Sequence, residues 1–175
     1  MNAPKSIAHG QEAHAPSQYL TFTLGSELFA LGILSVREII EYGQLTPVPM
    51  LPPSILGVIN LRGSVVPVLD LSLRFGLAGT RIGQRTCIVI LEVSRGETSQ
   101  VIGVVVDAVN AVLDIAAADI EPAPSFGMRI RTDFIQGMGK VDGRLLVLLD
   151  IGQVLSAEDI ELLDSARETA EPPPA

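Results

Sequence analysis

The sequence predicts an all-β fold with short helices, organised as two small, related β-barrels. Three observations carry this expectation. The 175-residue chain is 47% hydrophobic but only 4% aromatic and has no tryptophan, so its interior is aliphatic, built from Val, Ile and Leu. Its apolar residues fall in strand-length runs separated by glycine-rich turns. One succession of strand, turn and strand also occurs twice, in the same order, in the two halves of the chain.

The elements follow in order. Met1 to Ser17 is rich in Ala, His, Gln, Ser and Pro without an apolar period and reads as a disordered tail. From Gln18 to Leu24, Leu20, Phe22 and Leu24 alternate with threonines, the period of a half-buried strand. Gly25-Ser26 forms a two-residue hairpin loop with glycine first, and the return strand runs from Glu27 to about Ile33. Ser35-Val36-Arg37-Glu38 has the spacing of a capping box, so a short helix is expected there, stopped at Gly43. Ile33, Val36 and Ile40 then share one helical face, for which core packing is the default. Thr46-Pro47-Val48-Pro49 must be extended, because each proline excludes its predecessor from the helical region.

Strands follow at Gly57–Leu61 and Ser64–Leu71 around an Arg62-Gly63 turn, with Pro67 marking an edge or a bulge. A helical turn ends at Gly76. Further strands are expected at Thr86–Val93, Gln100–Val106 and Ala111–Ile115, then Ile135–Val141 and Arg144–Asp150 around Asp142-Gly143. The last helical segment starts at Ser156-Ala157-Glu158-Asp159. Arg167 to Ala175, with its three closing prolines, forms a second tail. The folded region thus spans 18–166, with repeat halves of about 18–80 and 85–166.

The repeat is read residue by residue. Gly57-Val58-Ile59-Asn60-Leu61-Arg62-Gly63 matches Gly137-Met138-Gly139-Lys140-Val141-Asp142-Gly143, and the strands after them align without a gap down to Asp70 and Asp150. Upstream, Leu45-Thr46-Pro47-Val48-Pro49 matches Ile120-Glu121-Pro122-Ala123-Pro124. Strands could also be exchanged between the two barrels, a point the sequence leaves open.

Composition excludes several functions. A net charge of −8 disfavours nucleic acid and anionic membrane surfaces. No apolar run approaches the roughly 20 residues of a membrane span, and Met1 to Pro16 lacks a signal-peptide core, so a soluble cytoplasmic protein is expected. Cys87 is the only cysteine, has no basic neighbour, and reads as a small core residue. Phosphate-loop, dinucleotide and nucleophile-elbow motifs are missing, and His9 and His14 both lie in the tail. No enzyme, cofactor or metal site is expected, which leaves a binding module; the alternative is a barrel holding a small molecule between its halves, disfavoured by the lack of aromatics.

The residues resemble a known family. Gln18 to Gly25, Ser35 to Ile40, and above all Gly57 to Gly63 followed by Val65 to Leu71 are similar to the CheW family of bacterial chemotaxis coupling proteins. Val101 to Val109, Ile120 to Pro124 and Leu162 to Ala166 extend the likeness over 18–166. The resemblance implies two five-stranded, SH3-like barrels packed together and no catalysis. It implies an adaptor joining the regulatory domain of a CheA-type histidine kinase to methyl-accepting chemoreceptor tips, a monomer in isolation and a ring member with the kinase.

On that footing six residues are candidates for partner binding. Arg62 at the turn is either a solvated arginine or a fork of donors for a partner's carboxylate. Gly63 supplies a backbone angle closed to other residues and so holds Arg62 in place. Asn60 bonds the hairpin backbone. Glu38 either closes the capping box or lies on the partner surface. Val36, by resemblance, is partly exposed in a groove between barrels where an apolar receptor helix docks. Gly57 either admits a partner's backbone or only begins a strand.

Overall fold

A computed structural model describes residues 16–124, 130–155 and 157–170. Ten strands form two five-stranded sheets. They are β1 (Pro16–Leu24), β2 (Glu27–Gly32), β3 (Val36–Glu41), β4 (Ile55–Leu61), β5 (Ser64–Asp70), β6 (Cys87–Arg95), β7 (Thr98–Val106), β8 (Ala108–Ala116), β9 (Ile135–Val141) and β10 (Arg144–Leu149). Two single-turn helices, α1 (Leu71–Arg74) and α2 (Ile151–Val154), follow β5 and β10, and α3 spans Ala157–Ala170.

The sheet orders are β8-β1-β2-β10-β9 and β3-β6-β7-β5-β4. Each sheet therefore takes a hairpin from one half of the chain and three strands from the other. The exchange is held by short parallel ladders, Leu146–Leu148 against Leu28–Ala30 and Val68–Asp70 against Gly103–Val105.

Each sheet is drawn towards closure by a backbone bridge between its two ends. Beyond β3, Thr46 exchanges both hydrogen bonds with Val58 of β4, at 2.8 and 2.9 Å. Beyond β8, Glu121 does the same with Met138 of β9, at 2.9 and 2.7 Å. These are the Thr-Pro and Glu-Pro segments matched in the sequence, so the repeat is a repeat of structure.

Alternation along the strands sends side chains to three apolar regions. Phe22, Phe29 and Leu31 of the first sheet meet Val89, Leu91 and Val104 of the second in the large core between the sheets. Tyr19, Leu28, Ala30, Leu146 and Leu148 fill the interior of the first barrel. Ile59, Val66, Ile88 and Ile90 fill that of the second. Leu163 and Ala166 of α3 are fully buried in the central core, and the helix packs on β4 and β5. Its polar contacts include Arg74 to Asp159 at 3.0 Å and Gln100 to Asp164 at 2.7 Å.

Four expectations are corrected. Residues 35–38 are not a capped helix: a 3-10 turn at Ile33–Ser35 leads directly into β3, which pairs with β6. Gly43 follows a strand and stops no helix. Ile33 and Val36 pack on the central core and Ile40 on the barrel interior, so the three share no face. Pro67 lies in a strand with neighbours on both sides rather than at an edge, beside the bulge that β4 makes at Leu56. Its partner Val58 turns its own N–H and C=O to Thr46, so Pro67 faces away from β4, and the β7 ladder begins only at Val68.

The tails are also shorter than expected where they are described. Pro16 and Ser17 pair with Ala116 and Ile115, because β8 is long enough to receive them. At the other end, α3 continues through residues 167–170, since the prolines begin only at Pro172. Residues 1–15 and 171–175, and Ser156, lie outside the described residues.

Candidate functional site

The β4–β5 hairpin presents the most distinctive geometry. Leu61 pairs with Ser64 across a two-residue turn in which Arg62 and Gly63 have φ of +52° and +89°. Both angles are positive, as a type I′ turn requires. The matching turn uses Asp142 and Gly143 at +52° and +78°. Aspartate is a customary first residue of such a turn, whereas an arginine there costs roughly 1–2 kcal/mol of backbone strain. The turn alone gives no reason for arginine; the side chain must supply it.

That side chain is 70% exposed, and its Nη2 donates to Oε2 of Glu38. Glu38 reaches it because β3 bulges at Arg37: Val36 pairs with Leu91, and Glu38 with the next residue, Ile90. The bulge keeps Val36 on the central core while turning Glu38 to the barrel interior side, where its side chain is 30% exposed. β3 and β4 are the two ends of their sheet, so the ion pair spans the seam of the barrel. Around it opens a groove of about 340 Å³ lined by Arg37, Glu38, Arg62, Val65 and Gln100 among others.

The remaining candidates support this hairpin from within. Asn60 accepts a hydrogen bond from the Gly63 N–H at 3.0 Å, as the sequence led one to expect. Gly57 is buried with φ of +152°, and a Cβ there would stand 2.3 Å from the Thr46 oxygen. The backbone that approaches Gly57 is thus that of Thr46 in the same chain. Val36 is half-buried, pairs with Leu91 and packs on the central core.

The structure unites Glu38, Asn60, Arg62 and Gly63 in one corner and leaves Val36 and Gly57 as flanking and supporting positions. The ion pair is not legible in the sequence: it joins residues 24 apart, and neither local pattern hints at the other. Leu34, in the turn before β3, is 99% exposed. Among the described residues no cluster of His, Cys, Asp or Glu could hold a metal ion, and no helix is long and apolar enough to cross a membrane.

Comparisons with known proteins agree on one family. The CheW-like domain matches residues 18–159. The chemotaxis protein CheW of Klebsiella aerogenes is 38% identical over 152 residues, 87% of this chain and 89% of its own length. That of Rhizobium meliloti is 33% identical over 160 residues, 91% and 97% of the two chains. Among solved structures, the scaffolding protein TtCheW of Thermoanaerobacter tengcongensis is similar with a TM-score of 0.74 at 33% identity, covering 82% of this chain and 90% of that one.

Proposed function

We propose, from the premise that this chain belongs to the CheW-like family and is a chemotaxis adaptor, that it couples a CheA-type histidine kinase to the cytoplasmic tips of methyl-accepting chemoreceptors. The kinase is held through its regulatory domain, and the protein works in the cytoplasm, recruited to receptor arrays at the membrane. It performs no catalysis of its own. The small-molecule-binding alternative is set aside, because the family match is to chemotaxis scaffolds.

The observation that carries the reading is the strained, exposed Arg62 held by Glu38 at the mouth of the second barrel. A guanidinium fixed in this way offers its remaining donors to a partner carboxylate or carbonyl without losing further side-chain freedom. Asn60, Gly63 and Gly57 act through the backbone, by keeping the hairpin in its twisted form and against Thr46. Val36, half-buried at the start of β3 against the central core, is the position we assign to contact with an apolar receptor helix.

The test is calorimetric titration of the purified chain with the kinase regulatory domain, and separately with a receptor cytoplasmic fragment. Saturable 1:1 binding to both supports the coupling role. Binding to neither removes it.

A further inference from the structure

Helix α3 runs towards the rim of the Glu38–Arg62 groove. Near its start Asp159 meets Arg74, which ends the helical turn after β5. Further on, Asp164 accepts from Gln100 of β7 at 2.7 Å. β5 and β7 are parallel, with Val68 beside Gly103, so Gln100 stands level with Val65, the second residue of β5. α3 therefore runs antiparallel to β5, and its last turn travels towards the Arg62-Gly63 turn from which β5 starts. Gln100 and Val65 both line the groove, so the helix is tied to the groove wall before it ends.

The helix carries carboxylates to that end. Glu161, Asp164, Glu168 and Glu171 follow at intervals of three, four and three, which is one stripe of a helix. Glu168 is exposed and lies one turn, about 6 Å, past Asp164. No basic residue follows Arg167, and three prolines after Glu171 favour an extended chain of about 3 Å per residue. Locally this arrangement is unfavourable. Like charges one turn apart repel, and acids in a last turn oppose the helix dipole. A cation nearby would reverse the sign. The groove presents two guanidiniums, Arg37 54% exposed and Arg62 70% exposed. Arg37 makes a long 3.9 Å contact with Glu92, and Arg62 gives Nη2 to Glu38 and holds its other donors at the mouth.

We propose that residues 167–175 are an autoinhibitory strap: Glu168 and Glu171 engage Arg37 and Arg62 and occupy the groove until a partner's carboxylate displaces them. The contact itself stands on α3 and the groove alone; its inhibitory effect rests on the reading of Arg62 as a partner-binding residue. The strap supplies, from within the chain, the acidic group that this reading assigns to the partner.

A nitroxide on Ala175→Cys, in a Cys87→Ala background with unchanged melting, reports the contact by paramagnetic broadening of amide NMR signals. Broadening should centre on Arg62, Gly63, Ser64 and Gln100 and spare Gly25 and Asn110 at the other end of the strands. It should fade at about 1 M salt, where the screening length is about 3 Å. Glu168→Gln with Glu171→Gln should melt no lower than wild type and remove the focused broadening. Unlabelled and otherwise wild type, the same double variant should bind the kinase regulatory domain or the receptor fragment about threefold or more tightly at low salt, because the groove is no longer occupied. Broadening spread evenly over both ends, broadening that survives the double substitution, or equal partner affinities for variant and wild type would each overturn the strap. Focused broadening with no binding of either partner by either chain would instead overturn the coupling role, and with it the inhibitory effect of a contact that is still present.

Discussion

The guanidinium of Arg62 donates to the carboxylate of Glu38 across the seam between the two end strands of one sheet. The backbone bridge of that seam, Thr46–Val58, lies further along β4. The ion pair is therefore a side-chain counterpart of that bridge, placed at the mouth.

A double-mutant cycle follows from this pairing. Because Arg62 is 70% exposed, the pair should contribute no more than about 1 kcal/mol to stability, and Arg62→Ala should melt close to wild type. Binding to the kinase domain or receptor fragment should fall by about 1–3 kcal/mol in Arg62→Ala. Glu38→Gln should weaken binding less, because it frees the guanidinium without removing it. If Glu38 acts by holding Arg62, the double variant should bind no worse than Arg62→Ala alone. Additive losses would mean that Glu38 meets the partner directly.

The hairpin glycines should separate by cost. Gly57→Ala drives a Cβ to 2.3 Å from the Thr46 oxygen, at a φ of +152° that side chains rarely adopt. The clash is with backbone, so the closing bridge must open, and a loss of roughly 2–4 kcal/mol is expected in urea denaturation. Gly63→Ala meets nothing within 4 Å and suffers only its positive φ, about 1–2 kcal/mol. A Gly57→Ala variant as stable as Gly63→Ala would contradict the role given to Thr46.

Most strands were legible because alternation and turn residues agree, as in Leu20-Thr21-Phe22-Thr23-Leu24 before Gly25 and in the Asp142-Gly143 hairpin. β3 was misread for a physical reason. Its bulge at Arg37 shifts the alternation by one residue, so Ile33, Val36 and Ile40 acquire helix-like spacing while Ser35 and Glu38 mimic a cap. Strand exchange was undecidable, because a hairpin shows the same two faces whichever half it pairs with. In the candidate site, the turn and the Asn60 bond were local and readable. The Glu38–Arg62 contact was not, since only the closing of the sheet brings its ends together.

Asp70 and Asp150 are matched in the repeat but should differ in importance. Both begin a helical turn, and the Asp150 carboxylate accepts from the Gly152 N–H at 3.1 Å in an exposed setting. Asp70 is 3% exposed and accepts from the Leu73 N–H, the Thr80 N–H and the Thr80 hydroxyl, so it also ties down the loop after α1. Asp70→Asn turns an amide donor against these donors and should cost about 1–3 kcal/mol. Asp150→Asn should cost less than about 1 kcal/mol, because asparagine caps nearly as well. Equal costs in chemical denaturation would show that burial of Asp70 adds nothing.

The exchanged topology makes a prediction about the halves themselves. If each half folded on its own barrel, a chain cut in the loop between Gly76 and Gln84 would give two independent domains. Instead, β1 and β2 lie in a sheet with β8, β9 and β10, and β3, β4 and β5 lie with β6 and β7. Each fragment would retain one hairpin and one three-strand unit whose partners are in the other fragment, with the central core split between them. An isolated hairpin is marginal at best in water, and each fragment would expose much of that core. Fragments 16–80 and 85–170 should each lack a cooperative thermal transition. Mixed at equal concentration, they should form a 1:1 complex that regains strand circular dichroism and a transition rising with concentration. Either fragment melting cooperatively as a monomer would mean that the halves can close on themselves, and that the exchange is not what holds the fold together.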